Sequence, residues 1–170
     1  KQELPIAPDE NVGSVHDRLM EMGKGLVTKT VDLLIEAEGK VENIKTIDQE
    51  TLYNDISELK PAPKIFKETC LIDWNDTAQN IYNKVRGLSP YPAAWTELTA
   101  SNGEKISPVK IYKVSVVEEG KTCSQENGTV TSTKSSIHIE CADGIIALEE
   151  LQLPGKKRME VKALLNGWSL

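Results

Sequence analysis

Lys156, Lys157 and Arg158 stand side by side after a Pro154-Gly155 turn and form the strongest chemical signal in the chain. Neighbouring cations repel one another and rarely serve a packed core, so such a run faces solvent. There it either keeps a surface soluble or meets nucleic-acid phosphates, whose binding releases condensed counterions. Five further cations are candidates for the same role. Lys64 and Lys67 lie in an extended stretch beside Pro61 and Pro63, from which their side chains reach outward. Arg86 lies near the end of a predicted helix, where it also complements the helix dipole. Lys110 and Lys113 lie on a predicted strand. For each residue taken singly, plain solvation is an equally good reading.

Catalytic and metal chemistry finds less support. His138 and Cys141 are three positions apart on a predicted strand, which points them to opposite faces, and no second pair accompanies them. A zinc site is therefore not expected. His16 and Asp17 are adjacent on a predicted helix, where neighbours do not face each other. Gly120, Gly128 and Gly144 punctuate turns rather than building a phosphate-cradling loop. No catalytic residue, metal ligand or cofactor site is expected within the 170 residues.

The formal net charge of −6 opposes indiscriminate nucleic-acid binding, DNA included, but leaves room for one local basic stripe. Aromatic residues are only 5% of the chain, which offers few platforms for stacking single-stranded bases. No apolar run approaches the roughly 20 residues that a membrane span needs, so no membrane partner is expected. Cys70, Cys123 and Cys141 are widely spaced and odd in number. Reduced, partly buried thiols in a cytoplasmic protein fit them better than a disulfide framework.

The elements that must position these groups fall into three stretches. Residues 1–39 read as two helices. The first is capped by Ser14, with Asp17 three residues on, and is interrupted at Gly23 and Gly25. The second carries Leu26, Val27, Val31, Leu34 and Ile35 at helical spacing. That apolar stripe needs a cover, and self-association is one way to supply it. Residues 40–69 read as a linker, with a short mixed pattern around Leu52, Tyr53 and Ile56. Residues 70–170 begin with a helix capped by Asn75 or Asp76 and ended by Gly87. Strands follow at Trp95 to Leu98, Val109 to Val117, Gly128 to Thr131, Ile137 to Cys141 and Ile145 to Leu153. Asp143-Gly144 is a hairpin signal. His138 and Glu140 alternate with apolar neighbours and should face solvent. A regular strand would bury Lys113, so a bulge or bend is expected after Ile111. The pattern alone leaves a small barrel and a sandwich open.

Several segments together carry a family resemblance. Leu151-Gln152-Leu153-Pro154-Gly155-Lys156-Lys157-Arg158-Met159, with Leu164-Leu165-Asn166-Gly167 behind it, resembles the C-terminal signature of the methionyl-tRNA formyltransferases. Ile72-Asp73-Trp74 and Val85-Arg86-Gly87-Leu88-Ser89-Pro90-Tyr91-Pro92-Ala93-Ala94-Trp95 are similar to that family's helix start and its proline-aromatic-proline turn. Pro5-Ile6 and Asn11-Val12-Gly13-Ser14-Val15-His16-Asp17-Arg18-Leu19 resemble the end of its catalytic domain. Val109-Lys110-Ile111-Tyr112-Lys113 and Ala142-Asp143-Gly144-Ile145-Ile146-Ala147-Leu148 fall where it has barrel strands. The resemblance spans essentially the whole chain.

The resemblance implies a mainly β fold with helices. An OB-like β-barrel at 70–170 would be preceded by a helical remnant of a Rossmann-like formyltransferase domain at 1–39 and by the 40–69 linker. It also implies that the family's histidine-glycine-serine-leucine-leucine-proline motif should carry the catalysis, and no such run occurs here. With Lys1 at its start, the chain reads as a C-terminal fragment, inactive alone. The parent enzyme would take its formyl group from 10-formyltetrahydrofolate and place it on initiator methionyl-tRNA. The fragment would hold that tRNA through Lys64, Lys67, Arg86, Lys110, Lys113, Lys156, Lys157 and Arg158. Two other readings stand beside this one: the barrel of a nucleotide-sugar formyltransferase, and a non-catalytic protein-interaction barrel.

Overall fold

The protein is described by a computed structural model over residues 1–52, 55, 57, 59–120 and 125–168. Cys123, like Tyr53 and Ile56 of the short mixed pattern, lies outside the described residues. Two units are present: residues 1–5 with 16–65, and residues 6–15 with 66–170.

The first unit is mainly the long helix α1, Val12–Glu36, whose opening turn belongs to the second unit. Gly23 and Gly25 were expected to break it, and they do not. Each glycine costs about 1 kcal/mol against alanine in a helix interior, too little to stop a 25-residue helix. Asn11, not Ser14, caps its start: the Asn11 side-chain oxygen accepts the Ser14 N–H at 3.0 Å. Ser14 turns its own hydroxyl back to the Asn11 carbonyl. The chain leaves the helix through Glu38 and Gly39, at φ of 51° and 74°, and Gly39 donates back to the Leu34 carbonyl. Of the apolar stripe, Leu26 and Leu34 are half-buried, while Val27, Val31 and Ile35 are exposed. No Cβ at Gly23 or Gly25 would meet another atom within 4 Å. Replacing both by alanine is therefore expected to stabilise α1 by roughly 0.5–1 kcal/mol per site, read as raised helicity by circular dichroism.

The second unit is built on a six-stranded antiparallel sheet in the order β1-β2-β5-β4-β3, with the short β6 also on β5. The strands are β1 Ala94–Thr99, β2 Lys105–Glu119, β3 Val130–Ser132, β4 Ile137–Cys141, β5 Gly144–Gln152 and β6 Met159–Glu160. Among the described residues no ladder joins β1 to β3. The sheet is thus an OB-like half-barrel that curls without closing, rather than a closed barrel. Helix α2, Ala78–Leu88, places Ala78, Ile81, Val85 and Leu88 in the core against Ile111, Ile139, Ile146 and Leu151. A short helix α3, Val161–Leu165, adds Val161 and Leu164.

The cap of α2 differs from expectation. Thr77 is the N-cap, accepting from Asn80, and the carboxylate of Asp143 accepts the Ala78 N–H at 2.7 Å from 65 residues away. The β4–β5 hairpin therefore closes the positive end of α2, a partner that local sequence does not reveal. Gly87 stays helical and α2 runs on to Leu88. The positive φ falls instead at Ala93, at 74°.

The hairpin residues also play other parts than expected. The two-residue connection is Ala142-Asp143, and Gly144 is already the first residue of β5, opposite Cys141. A Cβ on Gly144 would sit 2.0 Å from the Glu118 carbonyl oxygen, so glycine is needed there for close backbone approach. Glu140 was expected in solvent and is only 7% exposed. It does point away from the core, as alternation requires, but Gln125, Thr131, His138 and Ile145 enclose a cavity of about 230 Å³ around it. Cys70 and Cys141 are buried free thiols.

Candidate nucleic-acid interface

Seven of the eight candidate cations belong to the second unit; Lys64 belongs to the first. The unit that holds the seven, residues 6–15 with 66–170, contains 12 Lys and Arg against 15 Asp and Glu. The unit thus carries about half of the chain's net charge of −6, and its cations stand out as a local strip on a mildly acidic surface.

Two of the seven flank Trp95. Lys110 lies directly opposite Trp95 in the β1–β2 ladder, and opposed residues share a face about 5 Å apart. The Lys67 ammonium lies 5.5 Å from the Trp95 ring centre, while its carbonyl accepts the indole N–H at 2.9 Å. On the other side of Lys110, in the next ladder, stands Gln152. Gln152 accepts the Tyr112 hydroxyl at 2.7 Å and donates to the Lys156 carbonyl at 2.7 Å. This side chain ties the β2 surface to the basic turn.

That turn is the β5–β6 connection. Gly155 takes a φ of 71° and Lys156 N–H donates to Leu153, which throws Lys156 and Lys157 into solvent. Neither has an acidic partner among the described residues, and the same holds for Lys110.

The remaining three, Arg86, Lys113 and Arg158, line one cavity of about 240 Å³ with Tyr82, Tyr112, Asp9 and Asn11. Lys113 reaches it because the β2–β5 register shifts between Ile111 and Lys113 and again before Val114. This is the irregularity expected from the cost of burying an unpaired ammonium. Lys113 instead pairs with Glu149 at 2.8 Å. Arg158 stacks 4.5 Å from the Tyr112 ring centre and pairs with Glu150, its Nε donating at 2.6 Å. Arg86 is the most committed to the fold: it donates to Asn83 and to the Glu10 carbonyl and lies 6.0 Å from the Tyr82 ring centre.

These carboxylates hold the cations in place and also compete with any incoming phosphate. Pairing with Lys113 holds the Glu149 carboxyl below its ordinary value, and pairing with Glu149 raises Lys113 above its own. Because the Glu149 pKa is depressed in the folded state, its contribution is present above pH 4.5 and is lost as pH falls through the folded value. The Lys113 contribution is present below pH 10.5 and is lost as pH rises through its raised value. Both groups are partly exposed, so solvent limits the pair to roughly 0–1 kcal/mol. Glu149→Gln should therefore change stability little at neutral pH while flattening the acid side of the profile. Urea unfolding at neutral pH and below pH 4.5 reads both effects.

Sequence reasoning missed Trp95, Tyr112, Tyr82 and Gln152 as members of this surface. At 5% of residues the aromatics were few, and only the tertiary structure shows that three of them interleave with the cations. The one local signal was the odd spacing of Lys110 and Lys113 around Tyr112.

A curled antiparallel sheet, plugged by one helix and carrying an aromatic and basic strip, defines an OB-like β domain. The model for "Formyl transferase, C-terminal domain" matches residues 64–169, and the chain belongs to that family. Methionyl-tRNA formyltransferase from Parabacteroides distasonis is 49% identical, with 99% of this chain and 50% of that protein covered. The same enzyme from Bacteroides fragilis is 46% identical, with 98% and 49% covered. From Porphyromonas gingivalis it is 35% identical, with 100% and 50% covered. The chain spans about half the length of these curated relatives. Among solved structures, a variant of HypX from Aquifex aeolicus aligns with a TM-score of 0.47 at 18% identity, over 65% of this chain and 21% of its own.

Proposed function

We propose that this chain is the tRNA-holding half of a methionyl-tRNA formyltransferase acting in translation initiation in the cytoplasm. The observation that carries this reading is the joint one: membership in the formyl transferase C-terminal family, and seven cations on its β domain, five of them around Trp95, Tyr112 and Tyr82. A nucleotide-sugar formyltransferase would share the barrel but would not need the Lys156-Lys157-Arg158 cluster. Among the described residues no helix is long and apolar enough to cross a membrane.

In this reading Lys67, Lys110, Lys113, Lys156, Lys157, Arg158 and Arg86 meet acceptor-arm phosphates, and Lys64 adds a contact from the other unit. Phosphate contacts set register and orientation and carry no base sequence. The remainder of the parent enzyme supplies the 10-formyltetrahydrofolate site and the catalytic groups, and this chain alone transfers no formyl group. Gel-shift titration with initiator tRNA at several salt concentrations tests the reading. Binding that weakens as salt rises is the expected outcome, with little preference over elongator tRNA. Absence of binding at low salt would discard it.

A further inference from the structure

The proline-aromatic-proline turn is a sequence motif that the basic strip does not absorb. Tyr91 is 82% exposed, yet the turn that carries it is closely held. Ser89 and Ala93, its neighbours two positions away on either side, are 1% and 2% exposed. Ala93 donates to the Leu88 carbonyl at 2.9 Å, and Gly13 donates to the Ser89 carbonyl at 3.1 Å. The backbone of Gly13 lies so near this turn that a Cβ there would come within 2.5 Å of Pro90 Cδ. Ala93 keeps a φ of 74°, uncommon for a residue with a side chain and maintained only where the surroundings over-determine it. An apolar ring that folding drives inward is thus held outward on a fixed base.

Its position is also set. The turn leaves the β1–β2 ladder beyond the Ala94–Ile111 pair, the end at which β2 continues into Tyr112 and Lys113. Arg86 is five residues before Tyr91 on α2, within roughly 18 Å even for a fully extended chain. The Tyr91 turn therefore opens at the end of the β1–β2 ladder from which β2 runs on to Tyr112 and Lys113, two residues of the cavity that Arg86 and Arg158 also line. An exposed ring on the same domain as a strip of cations is the pairing of features by which proteins hold unpaired nucleotides, the ring taking the base and the cations the backbone.

We propose that Tyr91 is a stacking platform for an unpaired nucleobase of the bound RNA. This rests on the tRNA-holding reading and adds to it a preference for a single-stranded end. The test uses the 170-residue chain and two RNA hairpins of equal duplex length, one blunt and one with a four-nucleotide 3′ overhang. Fluorescence anisotropy is read across a salt series. Tyr91→Ala should weaken overhang binding roughly five- to a hundred-fold, leave blunt binding and the salt slope unchanged, and be rescued by Tyr91→Trp. Equal loss on both probes, or no loss on either while Lys156 and Lys157 variants still bind less RNA, overturns the stacking proposal alone. Failure of the unmodified chain to bind either hairpin at low salt overturns the tRNA-holding reading and the stacking proposal with it.

Discussion

Changing Lys156, Lys157 and Arg158 together to glutamine is expected to weaken tRNA binding and flatten its log–log salt slope by about two units. Each phosphate contact contributes roughly 0.7 to 0.9 to that slope through released counterions. The three residues are not equivalent. Lys156 and Lys157 are exposed on the β5–β6 turn with no acidic partner among the described residues, so their contacts with phosphate are gained outright. Arg158 already stacks on Tyr112 and pairs with Glu150, so a phosphate must compete for it. Arg158→Gln alone should accordingly cost less slope than either lysine change. The fold should survive all three changes, because exposed ion pairs contribute little to stability. The loss should be alike for initiator and elongator tRNA. An affinity that falls at constant salt slope would remove these residues from the phosphate-contacting set and assign them to the turn.

The largest effect on stability is expected at Gly144. Its Cβ position lies 2.0 Å from the Glu118 carbonyl oxygen and 2.9 Å from the carbonyl carbon, both backbone atoms of the neighbouring strand. No side-chain rotation relieves that clash, so alanine must push β5 away from β2 in the ladder that joins the two halves of the sheet. A cost of about 3 kcal/mol follows, at the upper end for overpacked sites, with a fall in Tm on the order of 10–20 °C. Gly103→Ala is the control. That glycine, unlike Gly144, takes a positive φ of 83°, and no atom lies within 4 Å of its Cβ position, so only the backbone preference is lost. Thermal melts of the two variants separate crowding from conformation. Equal and small shifts would show that β5 moves aside freely and that Gly144 is not required for the approach.

Much of the fold was legible in the chain because its signals are local. The period-two pattern of Ile137, Ile139 and Cys141 marked β4 to the residue. The cost of burying Lys113 foretold a backbone irregularity after Ile111, and the register shifts there. The cations of the candidate site were legible for the same reason, since charge type and solvation are properties of a short segment. Where local rules failed, the competing effect came from elsewhere in the chain. Gly23 and Gly25 could not break α1 because their cost is small against a continuous helix. Thr77, rather than Asn75 or Asp76, caps α2, and Asp143 completes the cap from a hairpin 65 residues away.

By itself the sequence determined the element types, the solvent-facing cations and the family, all of which depend on residue identity and short-range spacing. Only the tertiary structure decided which cations share a surface, because that depends on strand order. Placing β5 between β2 and β4 brings Gln152 beside Lys110 and Glu149 onto Lys113, and the β5–β6 turn then lays Arg158 on Tyr112. Charge attraction and ring stacking act over a few ångströms in space, whatever the separation along the chain, and so they cannot be read until the sheet is folded.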